Sequence, residues 1–112
     1  MHPSERLYIP KNMGEIWDLL GSMMLGAPSF EDKTGYFLNR SIDTEFASLN
    51  GGLEAIRDKL GEENYAQLME ISGRMRAHFE AGLKGQSEET DKGCKCIWEM
   101  EDILRAASRR KR

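Results

Sequence analysis

Residues 42–79 read IDTEFASLNGGLEAIRDKLGEENYAQLMEISGRMRAHF, and this stretch decides the fold class. Ile42, Phe46, Leu49, Leu53, Ile56 and Leu60 lie within roughly 60° of one line at 100° per residue, the mark of a helix with one apolar face. Ser41 or Asp43 supplies an N-cap, and Gly61 stands where a C-terminal glycine belongs. The pattern then resumes at once. Glu62 and Glu63 suit the positive end of a second helix, whose inner face is Tyr65, Leu68, Met69, Ser72, Met75 and Phe79, ending at Gly82. So short a connection at Gly61 predicts an antiparallel helical hairpin. Gly51 and Gly52 interrupt the first stripe, each costing about 1 kcal/mol relative to Ala. Such a pair permits close helix contact or a kink, or else divides the segment into two shorter helices.

Upstream, Met13, Ile16, Trp17, Leu20, Met23 and Met24 give a helix over about 12–25. Asn12 and Glu15 have capping-box spacing, and Gly26 with Pro28 stops the helix. Leu7-Tyr8-Ile9 and Tyr36-Phe37-Leu38 read as short extended pieces. Downstream, the polar run GLKGQSEETDK at 82–92 reads as a mobile loop. Thr90 or Asp91 then caps a helix to about Ala107, with Cys96, Ile97, Met100, Ile103, Leu104 and Ala107 inward. Each stripe needs another to bury it. The expectation is an all-α, single-domain bundle of about four helices, with a short N-terminal arm and a basic C-terminal tail. Phe46, Leu49, Leu53, Leu68 and Phe79 belong to one core.

The 112 residues allow one domain, and 39% apolar with 31% charged residues suit a large solvated surface. No apolar run approaches the ~20 residues that span a bilayer, and MHPSERLYIP lacks the apolar stretch of a signal peptide. Cys94 and Cys96 are too close together to staple distant segments, which suits a reducing cytoplasm. The formal charge is −3, yet Arg109, Arg110, Lys111 and Arg112 supply four positive charges at the end. Without them 12 basic residues face 19 acidic ones, leaving a body near −7. That sign repels a phosphate backbone, so no specific nucleic-acid partner is expected.

Chemistry-bearing motifs are sparse. No phosphate-binding Gly loop, zinc-protease helix or paired CxxC occurs. Cys94 and Cys96 with His78 fall short of the four ligands of a structural zinc site, and i, i+2 thiols diverge on a helix. Cys96 reads instead as a core thiol and Cys94 as a partly exposed one. His78 reads as a surface or helix-end residue. The seven methionines mostly fall on inner stripes as packing residues. Acidic groups at Glu62-Glu63, Glu88-Glu89 and Glu99 with Glu101 and Asp102 mostly fit solvated faces and helix starts, not a confined acid–base site. Neither an enzyme nor a cofactor is expected. Trp98 resists the core reading, because it points about 160° from the stripe centred on Met100. Either Leu7–Ile9 or Phe30 covers it, or it anchors an interface.

The run Ile42-Asp43-Thr44-Glu45-Phe46 through Gly52-Leu53, Lys59 to Leu68, Arg74 to Phe79 and Glu99 to Leu104 resembles small helical bacterial immunity proteins of toxin–immunity pairs. The resemblance implies a cytoplasmic protein that neutralises a cognate toxin, often a nuclease, by direct binding. It carries no catalytic signature. An acidic body suits a basic protein partner, with Glu62, Glu63, Glu88, Glu89, Glu101 and Asp102 as contacts and Trp98 as anchor. The competing reading is a self-associating helical regulator or scaffold subunit.

Overall fold

In the computed structural model, residues 8–27 and 41–110 are described. Among them the chain forms α1 (Met13–Gly26), α2 (Ile42–Ala55), α3 (Arg57–Leu60), α4 (Glu62–Leu83) and α5 (Ser87–Arg110), with no strand. The caps explain the starts. Asn12 Oδ1 accepts from the Glu15 amide at 2.9 Å, and Ser41 with Thr44 completes a reciprocal box at α2. Gly61, at φ 86°, makes the turn into α4 with a backbone that a Cβ would strain.

Two expectations need correction. The first stripe is broken, but at Ile56 (φ −107°, ψ 18°) and not at Gly51-Gly52. The glycines stay helical, and their missing side chains let the N-terminal arm cross them closely. A Cβ at Gly51 would lie 2.8 Å from Ile9 Cδ1, and one at Gly52 would lie 3.0 Å from three Pro10 carbons. The close contact is thus with an arm, not with another helix. Secondly, residues 82–92 are mostly helical. Only Lys84–Gln86 separates α4 from α5, and Ser87 rather than Thr90 or Asp91 opens the last helix. The amides of Lys84 and Gln86 donate to the Ala81 carbonyl, and that of Gly85 donates to Gly82. A solvated helix start has the same polar composition as a loop. Of the expected extended pieces, Leu7 and Tyr36–Leu38 lie outside the described residues, while Tyr8 and Ile9 form no regular element.

The four long helices close a ring: α4 packs on α2 and α5, and α1 packs on the same two. The tightest pair is α4 with α5, in antiparallel register. Arg74 meets Glu99 at 3.2 Å, and His78 Nδ1 meets Glu89 Oε1 at 2.8 Å. Near the turn, Gly93 lets the Phe79 ring lie directly against α5, where any Cβ would overlap it. On the other side of α4, Ser72 Oγ donates to Asn50 Oδ1 at 2.7 Å, and Phe79 packs on Phe46 with centroids 6.3 Å apart. One apolar cluster fills the ring and includes Phe46, Leu49, Leu53, Leu68 and Phe79.

Candidate functional site

The antiparallel register separates the expected carboxylates. Glu62 and Glu63 open α4, whereas Glu88 and Glu89 open α5 at the opposite end of the hairpin. The 21 residue steps from Glu62 to Leu83 span about 31 Å at 1.5 Å each. They do not form one patch. Glu62 is also engaged locally. Both its oxygens accept from Arg57, at 2.8 and 2.9 Å, and that hydrogen bond holds its carboxyl below the usual range. Arg57 in turn lies over the Tyr65 ring, 4.5 Å from its centroid.

Glu89 is likewise a structural group. Lys92 Nζ donates to it at 2.9 Å and His78 approaches its other oxygen, so its pKa is lowered, first by Lys92 and then by His78. His78 is therefore a half-buried link between α4 and α5, more specific than a helix-end residue. Cys94 is partly exposed and Cys96 buried, and burial raises both thiol pKa values, which keeps them protonated. Among the described residues no group of three or more His, Cys, Asp or Glu could hold a metal ion, and no helix is long and apolar enough to cross a membrane.

Trp98, Glu101 and Asp102 do come together, at i, i+3 and i+4 on α5. Trp98 is 55% exposed, Asp102 is exposed and Glu101 half-buried. Ile9 does not cover the indole, for its side chain lies on Gly51; Leu7 and Phe30 lie outside the described residues. Beside this ridge runs a groove of about 340 Å³ between α4 and α5. Its walls are Gln67, Glu70, Arg74, Glu99 and Asp102, and Ile71 and Ile103 line it between them. Arg74 bridges the two helices, donating to Glu70 at 3.0 Å and to Glu99 at 3.2 Å. Asp102 accepts from Arg105 at 2.9 Å. The groove itself carries Glu70, Glu99 and Asp102 against Arg74, a net acidic lining.

Glu70 is the group that sequence reasoning missed. The available signal was the spacing of Glu63, Gln67, Glu70 and Arg74, an outward stripe on α4 that flanks its core face. The arrangement holds no nucleophile–base pair and no confined carboxylate pair; what it offers is an aromatic platform beside a net acidic groove. No family model, no curated protein and no solved structure matches this chain.

Proposed function

We propose that this chain is an acidic, helical binding protein that neutralises a basic protein partner, as an immunity protein does its cognate toxin. The half-exposed indole of Trp98, standing beside the acidic α4–α5 groove, carries this reading. Tryptophan is among the residue types most enriched at interface hot spots. The flanking carboxylates Glu70, Glu99, Glu101 and Asp102 complement a basic surface, steering encounter and fixing register. Inhibition then needs no chemistry: the protein covers a positive cleft, such as a nuclease presents to its substrate, and excludes that substrate. The reading places the protein in the cytoplasm beside the toxin it restrains, with no cofactor and no catalytic role. Glu62, Glu63, Glu88 and Glu89 leave the proposed contact surface, because they lie at the two ends of the hairpin.

Binding kinetics against the product of the adjacent gene test this at two salt concentrations. Trp98→Ala should speed dissociation by an amount worth about 2 kcal/mol or more. Glu99→Lys with Asp102→Lys should slow association and flatten its salt dependence, while Glu62→Lys with Glu63→Lys leaves both rates nearly unchanged. A stable homodimer that buries Trp98, with no binding to that product, establishes the self-associating subunit instead.

A further inference from the structure

A second groove, of about 290 Å³, lies between α1 and the last turns of α5. Met13, Gly14 and Trp17 line it from α1, and Leu104, Arg105, Ser108 and Arg109 from α5. Its size sits at the low end of small-ligand sites, roughly 300–1,000 Å³. Its charge is opposite to that of the body. Its lining carries Arg105 and Arg109 and no carboxylate. The guanidinium of Arg105 lies over the Trp17 ring, 5.3 Å from its centroid. Arg105 spends Nη1 on Asp102, yet a guanidinium has five N–H donors in a planar fork, so further donors serve a second anion.

The shape narrows the ligand. The lining of α5 runs from Leu104 to Arg109, about 7.5 Å of axis at 1.5 Å per residue. A docked helix with anchors at i, i+3, i+4 and i+7 needs about 10 Å, so the groove is too short for one. A membrane surface requires protruding apolar side chains, whereas Leu104 is buried and Met13 and Trp17 are half-buried. The groove is shaped to receive a chain, not to insert one. We infer that it binds a small anionic amphiphile: one aliphatic chain against Met13, Trp17 and Leu104, with its carboxylate at Arg105 and Arg109. This inference does not rest on the partner-binding reading, although Arg105, paired to Asp102, borders both surfaces.

Titration with octanoate, followed by amide and indole NMR, tests it. The Trp17 indole N–H should shift saturably while the Trp98 indole stays in place. Gly14→Leu should abolish the shift by filling the groove. That variant should fold, since the nearest outside atom to a Cβ there is Asn12 Oδ1 at 3.4 Å and leucine favours the helix. Arg105→Gln with Arg109→Gln should weaken octanoate by about tenfold or more, and 1-octanol should bind the wild type no better than that double variant binds octanoate. No saturable Trp17 shift, or equal affinity for octanoate and 1-octanol, overturns the inference. So does capture by phosphatidylserine vesicles without octanoate binding, which makes the basic end a membrane-surface patch.

Discussion

Alanine at Gly73 and alanine at Gly93 are the same chemical change on two neighbouring helices, yet the packing gives them opposite signs. Each substitution gains about 1 kcal/mol of helix propensity. At Gly73 nothing lies within 4 Å of the new Cβ, so the gain survives. At Gly93 the Cβ lands on the Phe79 ring, which overlaps it at Cδ1 and Cε1 and sits 2.9 Å away at Cζ. The ring has nowhere to go, being fully buried with Phe46 behind it. Overpacking of this kind costs about 1–3 kcal/mol, and a direct overlap with a held ring belongs near the top of that range. Net of propensity, Gly93→Ala should lose about 2 kcal/mol while Gly73→Ala gains about 1. Urea unfolding followed by far-UV circular dichroism reads the difference. With a slope near 1.5 kcal/mol per molar, the two midpoints should separate by about 2 M. Shrinking the ring should restore most of the loss, so Gly93→Ala with Phe79→Leu should be less destabilised than the two single effects summed. If Gly93→Ala unfolds at the same urea concentration as Gly73→Ala, the α4–α5 packing described above is wrong.

Leu53→Ala should cost about 2–5 kcal/mol, because the side chain is fully buried in the central cluster; a variant as stable as wild type refutes that placement. The carboxyls of Glu89 and Glu62 have lowered pKa values, from Lys92 with His78 and from Arg57 respectively. Their contribution to stability is therefore full above the ordinary carboxylate range and is lost as pH falls through and below it. Glu89→Gln should flatten the acid limb of a stability–pH curve relative to wild type, and an unchanged slope removes the proposed role of the His78–Glu89–Lys92 link.

Much of the fold was legible because a helix writes its burial into local periodicity. The stripes at 13–24, 42–60, 65–79 and 96–107 all became inward faces, and Asn12, Ser41 and Gly61 marked ends where the backbone needs a cap or a positive φ. Residues 82–92 misread as a loop because, with the exposed Leu83 as their one large apolar side chain, these helix ends carry no period to detect. Tertiary contacts hold this end in place: Thr90 seats against Gly82, and Gly93, just beyond the stretch, against Phe79. Of the candidate surface, the outward direction of Trp98 could be counted along the chain, but its exposure could not.

The sequence by itself determined which residues turn inward, since the apolar spacing of a helix is a local property that burial must respect. It also determined the acidic sign of the body and the basic sign of the tail. Only the tertiary structure decided which charges share a surface. Antiparallel pairing of α4 and α5 carries Glu62 and Glu89 to opposite ends while bringing Glu70 beside Glu99, though these are 29 positions apart in sequence. It also decided that Gly51-Gly52 receives an arm instead of breaking a helix, because a glycine's missing side chain is a space that only a distant segment can fill.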